Sequence, residues 1–516
     1  MSGSTEVVST GRQLLSVLAL AALLTQPLHS QQVPPRTMVI AAQSDLQLVN
    51  SLVNNDAWTT EVIRNLLFLP LVRVNPDLTH APALAESWQF SGDTAVTFRI
   101  RRDVRWHDGR RTTAHDVAFT FERAKDPATA FPQPYFARWR SAQVLDSFTI
   151  RFRLEPHVDP LLTWVEVSVM PKHLLDSIPA ARMRQAAFNK APVGNGPFRF
   201  VSETPNDRWV FGANTDFPRA LGGRPRLDRV VWRVIPDNTA QETALLTGEV
   251  DIALGLRAEQ VKKLSDRPDL RVLVRPPTQY AALMWNSRRP ALSDVRVRRA
   301  LTMALNRQQL ITVLRNGYGQ VASTPVPPWH WAYDRSITPL PYDLSGARRL
   351  LNAAGYTSAR PLELVLKVPN VASARDLAEM VRAGLADAGV KVAVQPIDFA
   401  ALIQDVNGAR DFDGVFLAAT VDSRLDFTDL FHSRSAKAWF HTPALDKLLD
   451  EAMVETNREK AARIWRSVQT TIVQEQPWTL VWWGPQFVVT TARVQDISVD
   501  VRGVFRTLPS WSIRRE

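Results

Sequence analysis

The sequence predicts an α/β protein built as two or more closely joined lobes. Three observations predict it: a length of 516 residues, which exceeds what one ordinary core supports; two segments in strand, helix, strand order; and the lack of any Gly/Ser linker. The apolar share of 45% and charged share of 22% suit a chain that folds in water, neither disordered nor polytopic in a membrane.

Taken along the chain, Val96, Phe98 and Ile100 alternate with polar residues, as do Phe148, Ile150, Phe152 and Leu154, which predicts two half-buried strands. Between them Asp108-Gly109 supplies a turn, and Thr113 with Asp116 starts a helix through Val117, Phe119 and Arg123. Further on, Val230 to Ile235 reads as a strand, Thr239 and Glu242 as a capping box, Gly248 as a helix end and Val250 to Leu254 as a strand. The same order recurs where Leu362 to Val368 alternate, Ser373 and Asp376 cap a helix carrying Leu377, Val381 and Leu385, and Gly389 precedes Val390, Val392 and Val394. Val297, Ala300, Leu301, Ala304 and Leu305 fall at helical spacing with Arg296, Arg298 and Arg299 on other faces, the pattern of an amphipathic surface helix.

Residues 1–30 read as a secretory signal: Arg12, then the apolar run Leu14 to Leu24, then Pro27 and Ser30. The run is short for a membrane span, so the mature chain is expected to be released and not inserted in a membrane. Cysteine is absent, which excludes disulfides, thiolate ligands, cysteine nucleophiles and a lipidated cysteine anchor. A freely diffusing secreted chain then points to the periplasm.

The net charge of +11 is spread along the chain rather than gathered into a basic run with interleaved aromatics, which argues against nucleic acid as a partner. No Gly-x-Ser-x-Gly elbow occurs, and in Gly194-Asn195-Gly196-Pro197 the proline removes a donor that a phosphate cradle needs. That triplet reads as a tight turn. His107, His115, His432 and His441 lack metal-ligand spacing, so no metal, no catalytic residue and no cofactor is assigned. Sixteen tryptophans include Trp285 and the pair Trp482-Trp483, which suit either core packing or a pocket where rings sandwich a ligand.

Several segments in one order resemble family 5 extracytoplasmic solute-binding proteins, which serve oligopeptide, dipeptide and nickel importers. They are Leu84 to Trp88, Phe98 to Val104, Trp106-His107-Asp108-Gly109-Arg110, Thr113 to Arg123, Pro192 to Phe198, Arg226-Leu227-Asp228, Ile235-Pro236-Asp237, Gly248-Glu249-Val250-Asp251, Asn286, Val295 to Arg298, and Tyr342-Asp343 through Tyr356. The resemblance implies a two-lobed periplasmic-binding-protein fold, type II and cluster C-like, with a small α+β domain inserted in the first lobe. It implies a first lobe from 35–72, 186–275 and 480–516, an insert at 73–185, and a second lobe at 276–479. Strands crossing near Arg275–Pro277 and Thr479–Val481 would form the hinge.

The resemblance also implies a peptide caught between the lobes and passed to ABC permease and ATPase subunits by a monomer that does no bond chemistry. Asp422 matches the aspartate that pairs with a peptide's α-ammonium in such proteins. Ala419 stands where an aromatic is usual, and Ser423-Arg424-Leu425-Asp426 replaces an acidic, proline-rich continuation. Arg424 then either neutralises Asp422 or holds a ligand carboxylate. Trp482, Trp483, Trp285 and Asn286 match positions just past the crossing strands, and Tyr135 corresponds to an aromatic on the insert. The alternative ligand is a non-peptide solute such as a nickel chelate, an opine or a sugar.

Overall fold

The computed structural model describes residues 36–514, apart from 130–135, 158, 409, 422–424, 436–437 and 439. The signal segment, Tyr135, Asp422 and Arg424 therefore lie outside the described residues.

One sheet of eleven strands runs through the molecule. Its order is Val390–Ile397, Leu362–Pro369, Gly414–Thr420, Leu270–Trp285, Trp478–Thr491, Ile252–Ala253, Thr37–Ala42, Arg229–Val234, Arg208–Ala213 and Phe198–Thr204, with Gln320–Val321 added on Trp478–Thr491. The two long central strands belong to both halves. Leu270–Arg275 pairs with Thr491–Gln486 in the first lobe, and Gln279–Met284 pairs with Gly484–Trp478 in the second. Between these ladders lie Pro276, Pro277 and Pro485, which have no N–H to donate, so the pairing breaks there and the sheet can change direction. On the first strand this is where the sequence reading put the crossing. On the second it lies further along, because Thr479 and Val481 are fully buried in the second lobe's half of the strand.

Each lobe is packed on both faces of its half-sheet. In the second, Tyr280, Ala282 and Met284 enter one core with Phe431, Trp465 and Leu480, while Ala281, Leu283 and Trp285 enter the other with Leu301, Leu366 and Val381. This is the period-2 alternation of a strand buried on both sides. In the first lobe, Met38, Ile40, Phe198 and Trp232 face one core, and Ala41, Leu245, Val261 and Val489 the other.

A second sheet, antiparallel and four-stranded, orders Ala85–Phe90, Ala95–Ile100, Thr149–Leu154 and Trp139–Asp146, with helix Ala114–Lys125 against it. Its Phe98, Phe152 and Trp139, with Trp164 of the helix Leu162–Glu166, are continuous with the first lobe's core. The Thr113–Asp116 box forms as expected: Thr113 N donates to Asp116 Oδ2 at 2.8 Å.

Three local expectations differ from the structure. Helix Asn238–Leu246 is capped by Asp237, whose side chain accepts from Ala240 N at 2.7 Å, not by Thr239; Asp237 comes first in the chain and offers a carboxylate. Helix Ala372–Asp387 begins after Val371 without a side-chain cap, so Ser373 sits inside its first turn. Arg298, read as solvent-facing, is buried and donates to Leu292 O, Ser293 O and Glu475 O at 2.7–3.0 Å. The helix Val295–Met303 is therefore covered on that side by the end of helix Arg458–Glu475.

The Gly194-Asn195-Gly196 triplet is the clamp between the insert and the first lobe. Asn195 N and Gly196 N both donate to Leu67 O, at 3.0 and 2.8 Å, and Asn195 Oδ1 accepts from Leu69 N at 2.8 Å. His107 completes it: Nδ1 accepts from Gly194 N at 3.2 Å and Nε2 donates to Gly196 O at 3.0 Å, which requires the neutral ring. Burial pushes His107 down to about 4, with Arg199 adding to the effect and the Gly196 bond opposing it; burial takes His157 to about 4 as well. Between pH 6.5 and 4 the unfolded chain then holds a proton at each histidine that the folded one does not, so stability falls as pH falls, by up to about 1.4 kcal/mol per pH unit for each. Urea unfolding across that range should show this slope, shallower by about one proton in His107→Gln. An unchanged slope in the variant would mean His107 is not the group responsible.

Candidate functional site

A cavity of about 540 Å³ opens where the sheet changes lobes. That falls within the roughly 300–1,000 Å³ of small-molecule sites. Among the described residues, the second lobe's wall carries no charge. Val421 N donates to Thr278 O at 2.8 Å and Gln279 Nε2 to Thr420 Oγ1 at 3.0 Å, which holds the strand end in place. Trp329 lies beside them, its Nε1 donating to Pro277 O at 2.7 Å, so its ring is oriented by the crossing itself.

The first lobe contributes a charged wall. Asp56 caps helix Ala57–Val62 by accepting from Thr59 N at 2.7 Å, and the chain continues as a wider turn, Ile63–Leu67, closed by Phe68 N donating to Ile63 O at 2.8 Å. This i→i+5 bond is a π-type turn, a form often found at functional sites. The segment carries Glu61 and Arg64 into the cavity. Glu61 accepts from Val504 N at 3.2 Å and Asn65 Nδ2 at 3.1 Å, and lies 3.5 Å from Arg275 Nη1. Arg275 also donates to Gln486 Oε1 at 3.0 Å, directly across the last rung before the ladder breaks. Arg64 pairs with Glu166 at 2.6 Å.

Arg502 forks onto Asp500, with contacts of 2.5–3.1 Å. Burial raises the Asp500 carboxyl, but the bonds from Arg502 outweigh it and hold the group below its ordinary value. Arg73, on strand Val72–Val74, and Arg506, at the turn Phe505–Ser510, complete the wall. Burial lowers both; Arg506 falls to about 9, with Arg73, Arg502 and Arg64 adding like-charge repulsion and Asp500 opposing it.

The residues singled out from the sequence lie elsewhere. Trp483 is 1% exposed in the second lobe's first core, its ring 5.1 Å from Tyr280. Trp482 points to the opposite core, with the Arg315 guanidinium 5.9 Å from its ring. Trp285 is buried and donates to Thr479 Oγ1 at 3.0 Å. It stands six residues beyond the cavity-lining Gln279, about 20 Å along the strand. Asn286 donates to Arg410 O and Phe412 O, at 3.1 and 3.0 Å, and lines a separate hollow with Arg288 and Arg289. None of these four lines the interlobe cavity.

Sequence reasoning missed Trp329, Arg73 and Arg506. Trp329 carried a weak signal in the run Pro327-Pro328-Trp329-His330-Trp331. The arginines carried none, since they come from opposite ends of the chain. Among the described residues no helix is long and apolar enough to cross a membrane, and no group of three or more His, Asp or Glu side chains converges as metal ligands would.

A model of bacterial extracellular solute-binding proteins, family 5, matches residues 79–439. The oligopeptide-binding protein AppA of Bacillus subtilis is 27% identical over 471 residues, covering 86% of this chain and 86% of that protein. Heme-binding protein A of Haemophilus influenzae is 28% identical over 446 residues, covering 80% and 81%. The solved structure of the B. subtilis oligopeptide-binding protein with a nonapeptide superposes with a TM-score of 0.79 at 24% identity, covering 93% of this chain and 100% of that one. The two-lobed type II fold that the sequence resemblance implied is the fold observed. With most of its length matched by the family model and its two half-sheets meeting over a cavity, this chain belongs to the bacterial extracellular solute-binding proteins of family 5.

Proposed function

We propose that this chain captures a peptide in the cleft between its lobes and delivers it to the permease and ATPase subunits of an ABC importer, acting in the periplasm after removal of residues 1–30. The observation that carries the reading is the cavity at the crossing of the two long strands, walled by both lobes. A ligand touching both walls binds the closed form better than the open one, and that difference is what a membrane partner can recognise. Capture needs no bond chemistry. The B. subtilis relative named for oligopeptides supports the peptide reading.

Asp422 follows the cavity-lining Val421 in sequence, and a carboxylate there would pair with a free α-ammonium. Calorimetry of the mature protein against di- to pentapeptides should give saturable binding, weakened about tenfold or more in Asp422→Asn. Failure of every peptide to bind would end the peptide reading. A non-peptide solute is the second reading, favoured by Ala419 in place of an aromatic and by the relative named for heme. Mass spectrometry of whatever copurifies with the protein separates the two.

A further inference from the structure

Among the described residues, the charges around the cleft do not balance. Five arginines line it, Arg64, Arg73, Arg275, Arg502 and Arg506, against two glutamates, Glu61 and Glu166. Three of the five have carboxylate partners: Arg64 with Glu166, Arg275 with Glu61, and Arg502 with Asp500. Arg73 and Arg506 have none among the described residues. Arg73 is half-buried, and its Nε is shut away from water without a hydrogen-bond acceptor. Arg506 is half-buried and feels Arg73, Arg64 and Arg502, with Asp500 the one opposing charge. Thr278, Gln279, Trp329, Thr420 and Val421 across the cleft add no charge.

A guanidinium withdrawn from water with no acceptor is costly, and its planar donor fork suits a carboxylate or phosphate. Arg73 is such a group and Arg506 adds a second half-buried positive charge to the same wall, so an anion entering the cleft would offset both. Closing the lobes would exclude water and strengthen the attraction. The geometry points to a solute carrying at least two anionic groups, carboxylate or phosphate, held by Arg73 and Arg506 against the first lobe. This rests on the capture of a solute between the lobes and narrows it to acidic ligands.

The test uses the mature protein, stripped of copurified ligand by unfolding and refolding, titrated with trialanine, triglutamate and citrate at low and high NaCl. Triglutamate or citrate should bind about 30-fold or more tighter than trialanine, with the advantage falling at high salt. Tight triglutamate with weak citrate identifies an acidic peptide, and the reverse a non-peptide polyanion. Arg73→Gln and Arg506→Gln should each remove most of the advantage. Arg506→Gln should also raise the thermal midpoint of the ligand-free protein by removing repulsion, which distinguishes a binding role from a structural one.

Equal or tighter binding of trialanine, or an undiminished anion preference in the double variant, would overturn the anionic reading while leaving capture intact. If none of the three binds, the copurified molecule decides: an anionic one supports the proposal and a neutral one overturns it. With no probe bound, no copurified molecule and no lobe closure in solution scattering, capture itself would fall.

Discussion

Replacing Gly194 with alanine is expected to cost about 3 kcal/mol or more of folding stability. A Cβ at this position would stand 1.9 Å from Leu67 O and 2.8 Å from the Leu67 carbonyl carbon. Both are backbone atoms, and the oxygen is held by Asn195 N and Gly196 N, so neither side can withdraw without breaking the clamp. Leu67 also ends the π-type turn that carries Arg64 into the cleft, so the damage should reach ligand binding. Gly248→Ala is the control: its φ of +75° strains an alanine, but the space beyond is open, so only about 1–2 kcal/mol should be lost. Urea unfolding of both variants checks this; equal losses would show that backbone conformation, not contact with Leu67, explains the glycine.

Arg298→Leu should destabilise by about 3–5 kcal/mol. Only 2% of the residue is exposed, and its guanidinium donates to three carbonyls, Leu292 O, Ser293 O and Glu475 O, besides reaching Glu475 Oε2 at 3.3 Å. The Phe440 ring stands 5.2 Å from its Cζ. Burial lowers its pKa and the carboxylates of Glu475 and Asp294 oppose that, so the cation is kept at a cost the hydrogen bonds offset. Leucine would fill part of the space but leave the carbonyls unpaired. Lysine keeps the charge and loses the fork, so Arg298→Lys should fall between. Arg299→Leu, one residue along and partly exposed, should cost about 1 kcal/mol or less. Glu475 lies just before the strand Trp478–Thr491, so the larger loss would also loosen the entry to the crossing. Similar losses for Arg298→Leu and Arg299→Leu would refute this account.

The contrast between Arg298 and its neighbours shows where sequence reading stops. Helical spacing correctly grouped Val297, Ala300 and Leu301 on the buried side, because that face is set by the helix's own period. It said nothing of what would cover the opposite side, and the end of helix Arg458–Glu475 does so at Arg298. The strands at Ala95–Ile100, Thr149–Leu154 and Leu362–Pro369 were legible for the same local reason, as were the helix ends at Gly248 and Gly389 with φ of +75° and +86°.

The tryptophans show it again at the site. Proximity in sequence to the crossing strands singled out Trp285, Trp482 and Trp483. Alternation along strands buried on both faces turns these rings into the second lobe's two cores, and the ring offered to the cavity is Trp329, brought there by its bond to Pro277 O.

By itself, then, the sequence determined the α/β class, several of the strands and helices, the family and the point on the first long strand where the sheet changes lobes. Each of these depends on residues near one another in the chain, through periodicity, turn chemistry or motif order. Tertiary structure alone decided which side chains meet at the cleft and how their charges sum. Arg64 and Arg73 near the start, Arg275 in the middle and Arg502 and Arg506 near the end of the chain become neighbours only when the first lobe packs on its C-terminal segment. An electrostatic field depends on distances in space, and the order of residues along a chain does not contain them.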